Sequence, residues 1–139
     1  MKDSKSLKWE QFEDKFLKYP PTVLIEFRKG FEAVSLVLSN EQLTIWSNAG
    51  LTLSKDSIRS WEAAMEYFKA SPHVVNMIPY NYFAMWIGCG IELCKSSPKI
   101  SEKYFSASPD VITQLRSRHI ETWANLGKSL YRGTWKSSI

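Results

Sequence analysis

The residue types that most often carry out chemistry are sparse in this sequence. It holds two histidines, His73 and His119, and two cysteines, Cys89 and Cys94. Neither histidine lies in an H-E-x-x-H pattern or beside a cysteine pair, which are the arrangements that bind zinc. On one helix the two cysteines would point about 140° apart, so we expect no disulfide or metal between them. The sequence predicts no metal site, no cofactor, and two buried reduced thiols.

A pair of carboxylates is the remaining candidate for chemistry. Glu62 and Glu66 have the i, i+4 spacing that places both side chains on one helix face, where they could act as general acid and base or bind a cation. A solvated helix face is the simpler interpretation of the pair, as exposed polar positions are for both histidines. The phosphate-binding pattern G-x-x-x-x-G-K-[ST] is absent. We therefore predict that the protein is not an enzyme.

Composition favours a single helical domain. The chain has 139 residues, of which 44% are hydrophobic and 14% aromatic, enough for one well-anchored core. Six glycines and six prolines are few for an all-β fold that depends on tight turns. No run of residues approaches the length of a membrane span or of the apolar part of a signal peptide. We expect an all-α protein that is located in the cytoplasm and does not enter a membrane.

A repeat of 37 to 40 residues organises the elements of the chain. The pattern W-x3-G-x2-L occurs three times and places an indole, a bare backbone and a leucine on one stripe of a helix. A glycine inside a helix costs about 1 kcal/mol relative to alanine, so its recurrence indicates close approach of a second helix. Repeats of this period are typical of stacked helical units, either an α-solenoid or a compact bundle. The repeated positions are Trp46 and Gly50, Trp86 and Gly90, and Trp123 and Gly127.

A second repeated motif is YFxASPxV, at residues 67–74 and again at 104–111. The serines, Ser71 and Ser108, are of a type that caps helices, and the prolines, Pro72 and Pro109, suit the first position of a helix. We interpret each copy as the end of one helix followed by the capped start of the next. A unit would then hold three helices, or two where the short helix fuses with its successor. Ser39 and Gln42 have the spacing of a capping box before the helix that contains Trp46.

These patterns divide the single domain, residues 1–139, into units. Residues 1–45 match the repeat poorly and are expected to form an atypical N-terminal cap, with repeats at 46–85 and 86–122 and an incomplete repeat at 123–139. One expectation from the incomplete repeat is that the chain is a fragment of a longer protein. Self-association through that last repeat is another, since its missing neighbour would leave apolar surface uncovered.

The net charge of +4 lies entirely in the last part of the chain. Residues 1–98 carry 11 basic and 11 acidic side chains, whereas residues 99–139 carry 7 basic and 3 acidic ones. A basic surface there could bind nucleic acid, but an excess this small is more typical of a solvated surface. An apolar pocket for a small ligand or substrate is a third alternative. The candidate basic residues are Arg116, Arg118, Lys128, Arg132 and Lys136.

Two protein families have repeat motifs that resemble these. WANLGKSL at residues 123–130, with Ala64, Phe68 and Pro72 upstream, resembles the tetratricopeptide pattern, although the period here is longer. W-x3-G-x2-L, YF-x-A-SP and LYRGTWKSS resemble the helical repeats that precede a von Willebrand factor A domain in bacterial proteins of the NorD/CbbO type. The resemblance implies a helical interaction module whose protein partner is a MoxR-type AAA+ ATPase. The D-x-S-x-S motif of the von Willebrand domain itself does not occur in this chain.

Overall fold

The computed structural model describes residues 7–56, 61–115 and 117–124, and within these ranges the protein is all-α, as predicted. A short 3-10 helix at Trp9–Gln11 precedes seven α-helices. In chain order these are α1 (Glu13–Phe16), α2 (Pro21–Val34), α3 (Asn40–Asp56), α4 (Glu62–Val74), α5 (Tyr80–Ser96), α6 (Pro98–Gln114) and α7 (Ser117–Ala124). None of the helices in the described ranges is long and apolar enough to cross a membrane.

The repeat unit has two helices, and the units stack in two layers. Helices α2, α4 and α6 lie side by side in the first layer, and α3, α5 and α7 form the second. Later positions of α3 meet earlier positions of α4, because Trp46 contacts Ser71 whereas Gly50 meets Phe68, so these two helices are antiparallel. Since α2 and α3 are joined by a short turn, α2 and α4 run in the same direction. The three-helix form of the unit is therefore wrong, and the two-helix form is correct.

Local sequence explains where several helices begin. Pro21 occupies the first position of α2, where the missing N–H has no cost. The Ser39 hydroxyl accepts a hydrogen bond from the Gln42 N–H (3.2 Å), and the Gln42 side-chain oxygen accepts one from the Ser39 N–H (3.0 Å). This reciprocal pair confirms the predicted capping box before α3. Ser97 caps α6, with Pro98 following it at the first helical position.

The prediction that the YFxASPxV motif joins two helices was wrong. Pro72 lies inside α4 and Pro109 inside α6, so neither begins a helix. Ser71 and Ser108 are fully buried, and each hydroxyl donates a hydrogen bond to a carbonyl one turn earlier in its own helix. The actual turn between α4 and α5 comes later, and Pro79 is the residue that flanks the start of α5.

Close packing against α2 accompanies the proline within α4. Pro72 has no N–H to offer the carbonyl of Phe68 four residues earlier, so that oxygen loses its helical partner. The same oxygen lies against the backbone of Gly30 in α2, where a Cβ would come within 2.9 Å of it. Gly30 thus admits the free carbonyl into a close interhelical contact, of the kind that a Cα–H group can stabilise. Tertiary packing here overrides the helix-breaking tendency of proline.

The glycines of the W-x3-G-x2-L stripe accept aromatic rings from the following helix. A Cβ at Gly50 would overlap the Phe68 ring, and one at Gly90 would overlap the Phe105 ring. Both rings are buried. The predicted close approach of a second helix is confirmed at these two positions, while Gly127 lies outside the described residues.

A continuous series of stacked rings forms the centre of the core. Phe27 stacks on Trp46 with centroids 5.8 Å apart, Trp46 on Tyr67 at 5.6 Å, and Tyr67 on Trp86 at 5.8 Å. Trp86 in turn stacks on Phe83 at 5.4 Å. All five rings are completely buried, so the aromatic residues of successive units make one core rather than separate ones.

Candidate functional site

The side chains best suited to catalysis, the histidines and the cysteines, are divided between exposed and buried positions in the described residues. His73 and His119 are exposed on different helices. Cys89 and Cys94 are both buried, as predicted, and neither forms a disulfide. Within residues 7–56, 61–115 and 117–124, no group of three or more His, Cys, Asp or Glu side chains is placed to hold a metal ion.

The two repeated serines are acceptors for tryptophan. Trp46 donates its indole N–H to the Ser71 hydroxyl at 2.9 Å. Ser108 accepts two such bonds, from Trp86 at 2.8 Å and from Trp123 at 3.0 Å. The bonds from Trp46 and Trp86 join helices of neighbouring units, and the bond from Trp123 joins the two helices of one unit, so the serine hydroxyls act in helix packing. The constant pairing of Trp with a following Ser-Pro in both copies was the sequence signal for this contact.

The repeated tyrosines also serve helix pairing. Tyr67 donates its hydroxyl to the backbone carbonyl of Trp46, and Tyr104 to that of Trp123, each at 2.8 Å. Burial raises the pKa of Tyr67 well above its ordinary value, and a nearby Tyr80 adds to the shift. Burial, followed by the proximity of Cys89, raises the pKa of Tyr104 in the same direction. Both phenols therefore stay protonated and remain hydrogen-bond donors throughout the physiological range.

Glu62 meets a carboxylate from the next unit. Burial raises the pKa of Glu102 on α6, and a hydrogen bond with Glu62 on α4 and the charge of Glu66 raise it further. Lys99 opposes the shift and lies 3.8 Å from Glu102, while Lys69 lies 3.8 Å from Glu66. The arrangement brings carboxyl groups of α4 and α6 together, and their proximity favours the protonated form of Glu102. It is an interhelical contact with a pH dependence, which the sequence spacing of Glu62 and Glu66 could not show.

A cavity of about 320 Å³ opens between the N-terminal segment and the second half of α3. Its basic side chains are Lys15, Lys18 and Lys55, and its other walls include Tyr19 and Leu51. Sequence reasoning missed this cavity because its residues come from two distant segments, each of which is unremarkable in charge. The lining combines apolar surface with three cationic side chains, unlike the purely apolar pocket expected for the small-ligand alternative.

Large apolar side chains are exposed where the two helices of a unit join. Leu36 and Val37, in the turn between α2 and α3, are 87% and 48% exposed. Met77, in the turn between α4 and α5, is 39% exposed. Because α2 and α4 are parallel neighbours, both turns lie at the same end of the two layers. We call these three residues the turn edge.

Most of the basic surface predicted from the sequence lies outside the described residues. Arg116, Lys128, Arg132 and Lys136 fall beyond the described ranges, and of Arg118 only the backbone position in α7 is described. The structural repeat positions are all described except Gly127. Trp46, Gly50, Trp86 and Gly90 are buried.

Comparison with protein-family models, with curated proteins and with solved structures gives no match for this chain.

Proposed function

We propose that this chain is a non-catalytic helical-repeat module that binds another protein as a scaffold or adaptor in the cytoplasm. The observation that carries the proposal is the turn edge, where Leu36, Val37 and Met77 are exposed at one end of the stacked units. Isolated apolar side chains are common on protein surfaces, but apolar side chains grouped at one end of a repeat array are a natural contact for a partner. Stacked repeats use such extended surfaces for binding.

The use of the buried polar groups supports the same proposal. The hydroxyls of Ser71, Ser108 and Tyr67 are engaged in bonds that hold helices together. The repeated motifs thus encode the framework, and recognition is assigned to the exposed residues between them. An AAA+ ATPase is the partner class to test first, because the repeat motifs resemble those of the NorD/CbbO type. The same proposal has this chain act on the N-terminal side of a von Willebrand factor A domain.

The test is capture of partners by the purified chain, with matched variants. In the turn-edge variant, Leu36, Val37 and Met77 are replaced by glutamine. In the control variant the same change is made at Ile25, Ile45 and Ile100, which are 50%, 47% and 36% exposed on the helices α2, α3 and α6. Circular dichroism establishes that both variants fold.

A discrete protein that survives nuclease and high salt, binds the control variant and is lost with the turn-edge variant supports the proposal. Equal capture by both variants contradicts the turn edge as the binding surface. Retention that disappears with nuclease or salt instead supports the nucleic-acid alternative, because phosphate contacts weaken steeply as salt rises.

A further inference from the structure

Three lysines face one cavity without an acidic partner. Lys15 and Lys18 come from the N-terminal segment and Lys55 from the last turn of α3, and all three line the 320 Å³ cavity. Four cations of the described chain, Arg28, Lys69, Lys95 and Lys99, have a carboxylate within 4 Å. None of the cavity lysines has such a partner among the described residues.

The local charge is therefore positive and only partly balanced. Asp14 is the one acid of the lining, so three lysines and one aspartate leave a charge of +2. The Lys18 ammonium lies 5.5 Å from the centre of the Tyr19 ring, and that of Lys15 lies 6.0 Å from the Phe12 ring. Aromatic faces attract ammonium groups without neutralising them. The cavity thus presents like charges that repel each other until an anion enters.

The remaining walls indicate which kind of anion fits. Leu51 and the Tyr19 ring supply apolar surface, and Leu17, adjacent to Lys18, is 63% exposed. Thr52 donates its hydroxyl to the Asn48 carbonyl, so it offers no proton to a carboxylate, and its oxygen can instead accept a bond from a peptide N–H. A carboxylate on a chain that also carries apolar side chains matches this mixture. A nucleic-acid backbone would need more cations, since typical proteins make roughly 6 to 10 phosphate contacts.

We propose that this cavity binds acidic side chains of an amphipathic segment of a partner protein, with Lys15, Lys18 and Lys55 contacting the carboxylates. The inference depends on the proposed interaction function and adds the chemistry of the ligand. It concerns a different surface from the turn edge, because the cavity lies along the second half of α3, about 17 to 23 Å from the start of that helix.

The experiment measures binding of a fluorescein-labelled peptide rich in glutamate and leucine to the full chain, by fluorescence anisotropy. The comparison peptide has glutamine in place of every glutamate. The cavity variant is Lys15→Gln, Lys18→Gln and Lys55→Gln. Its control is Lys8→Gln, Lys29→Gln and Lys103→Gln, three exposed lysines that also lack a carboxylate partner among the described residues and change the net charge equally.

The acidic peptide should bind the wild-type and control chains equally and the cavity variant roughly 10- to 100-fold more weakly, from about three exposed charge contacts. The glutamine peptide should not bind. No binding of the acidic peptide, equal losses in the two variants, or equal binding of the glutamine peptide would overturn the inference. So would displacement of the peptide by inorganic phosphate or a single-stranded oligonucleotide in preference to unlabelled acidic peptide. If one of these contrary results is obtained while the turn-edge variant still loses its captured protein, the cavity inference fails and the proposed function is retained.

Discussion

Two glycines in the same helix should respond to alanine with opposite signs. A Cβ at Gly88 would meet no atom within 4 Å, whereas a Cβ at Gly90 would lie 2.5 Å from both Cε atoms of the Phe105 ring and closer still to its Cζ. Carbon atoms in contact are normally about 3.5 to 4.0 Å apart, so the ring or the helix must move by more than about 1 Å. Phe105 is completely buried, so the displacement must be absorbed by the core.

The expected free energies follow from these two environments. Gly88→Ala should stabilise the protein by about 0.5 to 1 kcal/mol, because alanine loses less backbone entropy on entering a helix. Gly90→Ala should destabilise it by about 1 to 3 kcal/mol through overpacking. The two variants should therefore differ by about 1.5 to 4 kcal/mol, or a melting temperature difference on the order of 10 °C.

Urea unfolding followed by far-UV circular dichroism measures both variants under the same conditions. A Phe105→Leu change in the Gly90→Ala background tests the cause, because a smaller side chain should recover part of the loss while Phe105→Leu alone destabilises. A stabilising or neutral Gly90→Ala, or a destabilising Gly88→Ala of similar size, would show that the Phe105 ring does not occupy the space at Gly90.

Three further changes test the polar contacts. Ser108→Ala should cost more unfolding free energy than Ser71→Ala, about 2 to 4 against about 1 to 3 kcal/mol, because it removes the acceptor of two indole N–H groups rather than one; equal losses in urea unfolding would contradict the two-donor geometry. Ser47→Ala should be neutral or stabilising by about 1 kcal/mol, since its buried hydroxyl has no hydrogen-bond partner among the described residues, and a clear loss in the same assay would refute this. The raised pKa of Glu102 means that the fold gains stability from protonation below the unfolded pKa and loses it as pH rises through the folded pKa. Glu102→Gln should therefore raise the melting temperature at neutral pH more than at mildly acidic pH, and an effect independent of pH would exclude a proton shared with Glu62.

Helical periodicity and composition were sufficient to predict the fold class. The W-x3-G-x2-L stripe also predicted a close helix contact, which the rings beside Gly50 and Gly90 confirm. The Ser-Pro interpretation failed because local rules place proline at helix starts, whereas the freed Phe68 carbonyl has a neighbour in Gly30 that is distant in sequence. Local patterns carry no information about such a partner.

The candidate surfaces were harder to predict for a related reason. The cavity depends on Lys15, Lys18 and Lys55 being brought together by packing, and lysines in two distant segments of the sequence do not indicate it. The turn edge could not be separated from ordinary core residues until the turns were located, since Val37 and Met77 lie among apolar neighbours in the sequence. The predicted basic residues near the C-terminus were found from charge alone, and charge does not define a surface.

The contacts of the Phe68 ring with Gly50 and of the Phe105 ring with Gly90 affect how this helical array could be lengthened or shortened. Each of these ring–glycine contacts joins the second helix of one unit to the first helix of the next, so the closest packing crosses the boundary between units. A duplication or deletion with its boundary between α3 and α4 would separate the Phe68 ring from Gly50. Boundaries placed in the turns after α2 and α4 would keep both ring–glycine contacts intact. Recombination of this protein should therefore be designed around the pairs α3 with α4 and α5 with α6, which span two repeats.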